Sequence, residues 1–390
     1  MESANTVKTE SSNSPDFLKD RTQLTVAFCG GGSGGHLTPA IALARTWVSE
    51  NPRIRFRFLF LCSGRIIDQT ILSKADLQHC DVQVAAQTVT TSSQKLTLLN
   101  CLRKDFFLSQ RILKLNQPDV ILGMGGFASA APVLAAYWLG KRPVLLELNA
   151  VPGRATRLLS RVSTAVWSGW PMQQHLNRLN KAVVLPFGVP VPQATTRPEP
   201  SESSKQQVQS RTIIIAGGSL GATRLNDIVC DALADHSQIL SDWKIEHQTG
   251  PNWQPSSSQV KACQGLNWNR HQFIPNLAEQ FSSADIVISR AGAVTLAEIA
   301  HTKVASILVP LSNATDNHQA ANTKQFKEAN AAFVVDETQP TASTALASCL
   351  KQLLSDEAKR EQMKECCQKL HCHLACQNTS EVLSALLPNP

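Results

Sequence analysis

The chain has 390 residues, of which 43% are hydrophobic and 17% are charged, which excludes an intrinsically disordered protein and predicts two globular domains. Its net charge of +7 favours an anionic partner. Aromatic residues make up 5% of the chain and do not alternate with basic runs, so the composition argues against nucleic-acid binding. No apolar run approaches the ~18 residues that a membrane-spanning helix needs.

The first 20 residues are polar and predict a disordered leader rather than a signal peptide. The eleven cysteines are an odd number in a chain without such a peptide, which favours reduced thiols in a cytoplasm. Near the C-terminus, cysteines and histidines cluster between Cys366 and Cys376. Their spacing lacks a repeated C-x2-C pair and fits the faces of a helix, so we expect no metal there.

The first half of the chain alternates apolar strands with helices, a pattern typical of a parallel sheet that is covered on both faces. A Gly-rich turn follows the first strand, and more glycines follow the fourth. The predicted strands are Leu24–Cys29, Phe56–Cys62, Val82–Ala86, Asp119–Leu122 and Val144–Leu148, with shorter candidates at Ala165–Trp167 and Ala182–Leu185.

The pattern begins again after a segment rich in Pro, Ser and Gln. Strands are predicted at Thr212–Ala216, Ile286–Ser289 and Ser306–Val309. We therefore predict an α/β fold with two Rossmann-like, doubly wound domains that face each other across a cleft. The predicted divisions are a leader at 1–20, a first domain at 21–190, a linker at 191–211, a second domain at 212–364 and a C-terminal helix at 365–390 that packs back on the first domain.

The first Gly-rich turn, GGGSGGHLTP at 30–39, ends a strand and opens a helix whose free N–H groups would face an anion. Three of its glycines fit the dinucleotide fingerprint, but that motif needs an acidic residue soon after the second strand, where Arg65 stands. A P-loop needs Lys and then Ser or Thr where His36 and Leu37 stand. A turn that serves only strand–helix packing is the third alternative, and it does not account for His36, whose imidazole would face the cleft.

Two further turns follow the same design in the second half. In GGSLGATRLN, which begins at Gly217, Ser219 and the N–H groups after it could hold an anion. In SRAGAVTLAEIA, a helix beginning near Ala293 would point its N–H groups at a phosphate, and Glu298 could accept both hydroxyls of a ribose. The alternative is an ordinary capped helix. Turns of this kind at the same topological position in both halves favour a ligand site beyond the carboxyl ends of the strands.

Motifs along the chain resemble those of the GT-B glycosyltransferases of the bacterial cell wall, and above all the family that adds N-acetylglucosamine to lipid I (undecaprenyl-pyrophosphoryl-N-acetylmuramoyl-pentapeptide) to form lipid II. In chain order they are GGGSGGHLTPA, GMGGFAS at 123–129, ELNAVPG at 147–153, GGSLGATRLN, SRAGAVTLAE and DNHQAAN at 316–322. The resemblance covers the chain from about Leu24 onward. It implies a GT-B fold, an inverting hexosyltransferase that uses UDP-GlcNAc and lipid I, and no cofactor or metal. It also implies a peripheral position on the cytoplasmic face of the plasma (inner) membrane.

The resemblance further implies which residues form the site. Glu298 would hold the ribose, the backbone around Ile274 would read the uracil, and Gln319 would contact the sugar. His36 would lie by the acceptor hydroxyl as its general base, since imidazole titrates near neutral pH. The implied donor site comprises Ser33, Gly34, Gly35, Asn149, Ser219, Ile274, Ala293, Val294, Thr295, Leu296, Ala297, Glu298 and Gln319; the acceptor site comprises His36, Gly125, Gly126, Phe127 and Ser129; and His36 and Glu298 are the implied catalytic residues.

Some positions depart from the family's pattern. The chain has Leu146-Glu147-Leu148-Asn149 where H-E-Q-N is usual, Pro192 where a donor-binding Arg belongs, and His318 in place of the first Gln of a pair. These departures bear on donor contact. They keep open another GT-B transferase with a lipid acceptor, a hydrolysing UDP-sugar epimerase, and a non-catalytic UDP-sugar-binding subunit.

One segment, at 95–114, combines apolar and basic side chains just before the GMGGFAS motif. It is predicted to dock on an anionic membrane surface, with apolar side chains in the interface and cations at the headgroups. The alternative is an amphipathic helix packed on the first sheet. The apolar residues are Leu98, Leu99, Leu102, Phe106 and Phe107, and the basic residues are Lys95, Arg103, Lys104, Arg111 and Lys114.

Overall fold

The structure is a computed structural model of the chain. It describes residues 21–32, 34–75, 77, 80–86, 95–179, 183–191, 211–218, 221–275, 277–312, 317–374, 379, 383 and 387. The predicted leader, Pro192 and most of the predicted linker lie outside these residues.

The first half is built on parallel strands β1 (Gln23–Cys29), β2 (Arg55–Cys62), β3 (Asp81–Ala86), β4 (Val120–Gly123), β5 (Val144–Glu147), β6 (Ala165–Ser168) and β7 (Val183–Pro186). Within the described residues they form one sheet in the order β3-β2-β1-β4-β5-β6-β7. The helices between them are α1 (Gly34–Glu50), α2 (Ile66–Ser73), α3 (Lys95–Asn116), α4 (Ala130–Trp138) and α5 (Arg154–Leu159). The order in which strands are added to the sheet reverses between β1 and β4, although the two strands are parallel. The loops after these two strands therefore border the crevice where ligands of such sheets bind.

Apolar side chains cover both faces of the first sheet. Val26 and Phe28 of β1 lie in one buried cluster, and Ala27 and Cys29, which point to the opposite face, lie in another. The ring of Phe28 stacks on Trp47 of α1 with 6.0 Å between centroids. A strand buried on both faces needs a continuous apolar run, which is why these strands stand out in the sequence.

The second half repeats the design with parallel strands β8 (Arg211–Ala216), β9 (Trp243–Gln248), β10 (Asn267–His271), β11 (Ile286–Ser289), β12 (Ala305–Leu308) and β13 (Phe333–Val334). In the described part of the chain their order is β10-β9-β8-β11-β12-β13. The helices are α6 (Thr223–Ala234), α7 (Ser257–Ala262), α8 (Leu277–Ser283), α9 (Ala293–Thr302), α10 (His318–Glu328), α11 (Ala342–Ser355) and α12 (Glu357–Leu374). The predicted class, two doubly wound α/β domains, is confirmed. Helix α12 continues through residues 364 and 365, between which the sequence suggested a boundary.

Residues beyond α12 pack on the first half. The indole Nε1 of Trp47 in α1 donates to the carbonyl oxygen of Thr379 at 3.0 Å, and the Thr379 hydroxyl donates to Glu50 at 2.6 Å. Leu383 is buried in the same apolar cluster as Trp47. That cluster also contains Phe326 of α10, so one core holds residues of both halves.

A buried histidine organises the loops beside β9. His247 is fully buried, and its Nε2 donates to Oδ1 of Asn226 at 3.1 Å, while its Nδ1 accepts from the indole of Trp268 at 3.3 Å. The Asn226 amide in turn donates to the Thr249 carbonyl at 2.9 Å. Burial, helped by the charge of Arg270, lowers the pKa of His247 to about 3. The ring is therefore neutral, and the bonds it makes fit one tautomer.

The depressed pKa of His247 predicts acid sensitivity of the fold. Between about pH 6.5 and about pH 3, an unfolded His247 binds a proton that the native one does not, so stability falls as the pH falls through this window. The loss is up to about 1.4 kcal/mol per pH unit. Urea midpoints measured at about pH 7 and about pH 5 should drop more for the wild type than for His247→Gln. The glutamine amide can replace both ring hydrogen bonds without titrating. Equal losses in the two proteins would contradict the assignment.

Candidate functional site

The first Gly-rich turn is held by a buried carboxylate. Asp68 of α2 is fully buried and accepts the backbone N–H of Gly32 at 2.8 Å and that of Ser63 at 2.9 Å. A dinucleotide site needs an acidic residue after the second strand, and Asp68 is such a residue, although the sequence indicated only Arg65 there. Its oxygens bind the turn itself, so it is not placed as a ribose ligand. Ser33, predicted in the donor site, lies outside the described residues.

His36 lies half-buried in the first turn of α1, next to the loop that follows β4. A Cβ added to Gly126 would lie 2.9 Å from its Nε2, and one added to Gly125 would lie 3.5 Å from its Cε1. Both glycines also have left-handed backbone conformations, with φ of +81° for Gly125 and +70° for Gly126. The structure thus brings the predicted base and the predicted acceptor glycines into contact.

The electrostatics around His36 favour a neutral imidazole. Desolvation by burial lowers its pKa. The charge of Glu147, a hydrogen bond to the Met124 backbone and the charge of Asp68 oppose this, but the net pKa stays below the ordinary value. A neutral imidazole near pH 7 can accept a proton, which is what a general base needs.

The rest of the predicted acceptor loop has a mixed role. Ser129 is fully buried, and its hydroxyl donates to the Gly126 carbonyl at 2.8 Å, so it shapes the loop. Phe127 is 45% exposed at the loop surface. Of the two, only Phe127 presents its side chain at the surface.

Glu147, at the end of β5, fixes the ELNAVPG loop. Its Oε1 accepts the backbone N–H of Asn149 at 3.0 Å and the Asn149 amide at 3.1 Å. Its Oε2 accepts the N–H of Gly153 at 2.9 Å and the hydroxyl of Thr156 at 2.6 Å. This role was not predicted, although an acidic residue that ends an apolar strand was a signal for it.

In the second half, one amide joins the glycine turn after β8 to the Ile274 segment. The Gln248 side chain donates to the Gly218 carbonyl at 2.9 Å and accepts the N–H of Ile274 at 2.8 Å. Gly221 has φ +78°, and a Cβ there would overlap the Thr249 carbonyl oxygen. Ser219 lies outside the described residues, so its predicted anion contact stays a prediction.

Helix α9 begins at Ala293 after Gly292, and no side chain caps it. Glu298 on this helix is 8% exposed, and burial raises its pKa to about 8. Its carboxyl has no hydrogen bond or ion pair among the described residues. A buried, unpaired carboxyl is costly, and a ligand hydroxyl would supply the partner that the protein does not. Of the other residues predicted on this helix, Ala293, Leu296 and Ala297 are buried, and Val294 and Thr295 are half-buried.

The loop before α9 is held by residues that the sequence did not indicate. Arg290 is 7% exposed and forms an ion pair with Glu337 at 2.7 Å. Glu337 also accepts the N–H of Ser312 at 2.9 Å. This buried pair fixes the start of the SRAGA segment relative to the loop after β12.

The first turn of α10 contacts both halves. Gln319 accepts the N–H groups of Ala291 at 3.2 Å and Leu311 at 2.9 Å, which leaves its amide nitrogen without a partner among the described residues. His318, the departure from the usual Gln, is hydrogen-bonded through Nδ1 to the Val151 carbonyl of the first half at 2.9 Å. Asn149, predicted as a donor ligand, has both ends of its amide engaged within the protein, since its oxygen accepts from Asn322 at 3.2 Å.

No group of three or more His, Cys, Asp or Glu side chains that could hold a metal occurs in the described part of the chain. In the C-terminal cluster, Cys367 is fully buried, and its thiol contacts the carbonyl oxygens of Val304 and Ala331. Cys376 lies outside the described residues.

Known proteins resemble the chain along most of its length. The model of the glycosyltransferase family 28 N-terminal domain matches residues 26–168, and that of the C-terminal domain matches residues 212–377. The UDP-N-acetylglucosamine--N-acetylmuramyl-(pentapeptide) pyrophosphoryl-undecaprenol N-acetylglucosamine transferase of Anaeromyxobacter sp. (strain K) is 31% identical over 361 residues, which is 92% of each chain. The protein of the same name from Myxococcus xanthus is 31% identical over 342 residues, or 88% of each chain.

Solved structures agree with this. MurG of Acinetobacter baumannii superposes with a TM-score of 0.64 at 26% identity, covering 93% of this chain and 99% of that one. A UDP-N-acetylglucosamine 2-epimerase superposes with a TM-score of 0.61 at 12% identity, covering 88% of this chain and 91% of that one, which shows a shared fold only. The predicted GT-B fold is confirmed. With domain models that match both α/β halves and relatives at this level of identity, the chain belongs to glycosyltransferase family 28.

Proposed function

We propose that the chain transfers N-acetylglucosamine from UDP-GlcNAc to the 4-hydroxyl of MurNAc in lipid I, with inversion at the anomeric carbon, to form lipid II in peptidoglycan synthesis. The observation that carries the proposal is the contact of His36 with the Gly125-Gly126 loop in one half, together with a buried carboxyl in the other, Glu298, that has no partner among the described residues. The names of the relatives and of the 26%-identical structure support the substrates.

The donor is proposed to lie mainly on the second half. Its pyrophosphate would meet the uncapped start of α9, where N–H groups and the helix dipole stabilise the charge that develops on leaving UDP. Glu298 would accept the ribose hydroxyls. The N–H of Ile274 is bound to Gln248, so its carbonyl is the backbone group left to accept from uracil. The amide nitrogen of Gln319, which has no partner in the described part of the chain, would donate to the sugar.

The acceptor is proposed to lie against the first half. His36 removes the proton from the 4-hydroxyl as the oxygen attacks the anomeric carbon, and a single displacement inverts that centre. Gly125 and Gly126 bring backbone close to His36 and would let the acceptor pyrophosphate approach in the same way.

The proposal is tested by product analysis. The purified chain is incubated with radiolabelled UDP-GlcNAc and a lipid I analogue, and label should enter a lipid-linked disaccharide. Label in another glycolipid would identify a different transferase, free GlcNAc derivatives with UDP would identify an epimerase, and bound but unreacted donor would identify a binding subunit. Each of these three outcomes overturns the proposal.

His36→Ala should lower kcat by ~10²–10⁴-fold while the Kd for UDP-GlcNAc stays unchanged, because a general base acts in the transition state. His36→Gln is the matched variant, since it keeps a hydrogen-bonding amide but cannot titrate. Steady-state kinetics and calorimetry give the two quantities. If glutamine restores kcat to near the wild-type value, His36 only positions the acceptor and the base is another group.

The raised pKa of Glu298 predicts that UDP binding depends on pH. About one-tenth of a carboxyl with a pKa of about 8 is ionised at about pH 7 and about nine-tenths at about pH 9. Ribose hydroxyls donate to the ionised form and lower the pKa, so binding releases a proton and UDP affinity should rise about tenfold over this range. Calorimetry should show a flat, weaker profile for Glu298→Gln. An equal rise in the variant would assign the titration to another group.

Membrane attachment is proposed to use the outer faces of α3 and α4. No helix in the described ranges is both long and apolar enough to cross a membrane. Large apolar side chains are nevertheless exposed on these two helices, at Leu99 (63%), Phe107 (54%), Tyr137 (54%) and Trp138 (73%). The predicted cations Arg103, Lys104, Arg111 and Lys114 are exposed on α3. This surface suits the anionic cytoplasmic face of the inner membrane.

Part of the predicted docking segment faces the protein instead. Phe106 is half-buried and packs on the core of the first half, and Leu102 is also half-buried, because α3 must cover the sheet. The side chains of Lys95 and Leu98 lie outside the described residues. One face of α3 therefore packs on the protein and another is exposed, so Phe107 rather than Phe106 is the residue to test for docking.

Phe107→Glu combined with Lys104→Glu should reduce co-sedimentation with anionic liposomes at low salt, because each basic residue near the surface contributes ~1 kcal/mol and the new charges repel the headgroups. The matched control is Ile239→Glu combined with Lys351→Glu, two neighbouring surface residues of the second half. Circular dichroism checks the fold. Equal sedimentation of the two double variants would move the docking site elsewhere.

A further inference from the structure

Asn322 of α10 is fully buried at the junction of the two halves. Its amide nitrogen donates to the carbonyl of Ala291 in the second half at 3.2 Å and to Oδ1 of Asn149 in the first half at 3.2 Å. Its amide oxygen accepts the N–H of Ala150 at 2.9 Å. A single side chain thus bonds to both halves at once.

On the second half, the Asn322 amide is hydrogen-bonded to the loop that leads into α9. Ala291 is bound from both sides, since Gln319 accepts its N–H and Asn322 donates to its carbonyl. Ala291 lies directly before Gly292 and the uncapped start of α9, which also carries Glu298. A ligand that draws the start of α9 toward its phosphates must displace Ala291 and, with it, the Asn322 amide.

On the first half, the same amide reaches the surroundings of His36. Asn149 accepts from Asn322 and donates its own amide hydrogen to Glu147 at 3.1 Å. Glu147 and Asp68 are the carboxylates whose charges act on His36. A continuous series of hydrogen bonds therefore connects Ala291, Asn322, Asn149 and Glu147.

We propose that Asn322 is a positioning residue that couples occupation of the donor site to the environment of His36. The proposal rests on the proposed function for the identity of the donor and of the base. It assigns Asn322 no contact with substrate. When the donor moves Ala291, the Asn322 amide moves Asn149, and the Glu147 carboxylate changes its distance from the imidazole.

Other contacts keep the halves together when this link is broken. His318, one turn before Asn322 in α10, is hydrogen-bonded to Val151, and Thr379 is hydrogen-bonded to Trp47 and Glu50. Loss of the Asn322 amide should therefore leave the fold and the donor site in place, which separates coupling from stability.

The test is the imidazole signal of His36 in carbon-labelled protein, assigned with His36→Gln, and recorded with and without saturating UDP. In the wild type we expect UDP to shift this signal and its titration midpoint. In Asn322→Ala the shift should be lost, although calorimetry shows that UDP still binds within about threefold of the wild-type Kd. Asn322→Val fills more of the same space without a donor or an acceptor, so it breaks the same link and should behave alike if Asn322→Ala does not fold.

Thr379→Val is the matched control, because it removes a hydrogen bond between the halves that is not on this path, and it should keep the UDP-induced shift. Coupling through Asn322 is overturned if the shift persists in either folded variant of Asn322, or if UDP binds the wild type without moving the signal. Failure of the wild type to bind UDP would instead overturn the proposed donor site. The two failures are thus distinguishable without any measurement of activity.

Discussion

Several backbone N–H groups in the loops after the strands have side-chain oxygens as their acceptors, and most of these oxygens belong to buried residues. Asp68 binds the turn that presents His36, and Glu147 binds the loop after β5. Gln248 and Gln319 do the same for the two loops of the second half. Since an unpaired buried N–H costs as much as a lost hydrogen bond, each of these oxygens selects one loop conformation before a ligand arrives.

Two buried glutamates show how the same residue type is put to opposite uses. Glu147 accepts four hydrogen bonds, and these order the loop around it. Glu298 is equally buried but receives none from the described residues, so desolvation alone raises its pKa. The first carboxyl strengthens the fold, whereas the second weakens it, and we propose that its hydrogen-bonding capacity serves a ligand. A buried carboxyl without a hydrogen-bond partner lowers the stability of the fold, and in the proposed function this loss is the counterpart of ligand binding.

The sequence predicted best what depends on local pattern. Continuous apolar runs located the strands of the first sheet and the central strands of the second, and the doubly wound pattern placed the glycine-rich loops at one edge. Strands β9, β10 and β13 were not predicted. The first two read WKIEHQ and NWNRH, and these polar segments become strands because β9 pairs with β8 and β10 pairs with β9.

The contacts that complete the site could not be predicted in this way, because their partners are far apart in the chain. Asp68 was passed over since its partner, Gly32, lies before the second strand. Asn149 was expected to bind the donor, yet its amide is divided between Glu147 and Asn322, and the partner on α10 belongs to the other half of the chain. The approach of His36 to Gly126 follows from the neighbouring positions of β1 and β4, but the sequence does not give the distance between the imidazole and the glycine.

The hydrogen bond between Trp47 and Thr379 limits how halves from different family members can be combined in one chimeric chain. The first half does not complete its own core, because Thr379 and Leu383 near the end of the chain cover α1. A first half separated at the linker would lose the acceptor of the Trp47 indole and uncover apolar surface, and both changes favour aggregation. A chimera that joins halves from two family members must therefore take the last residues of the chain from the parent that supplied the first half.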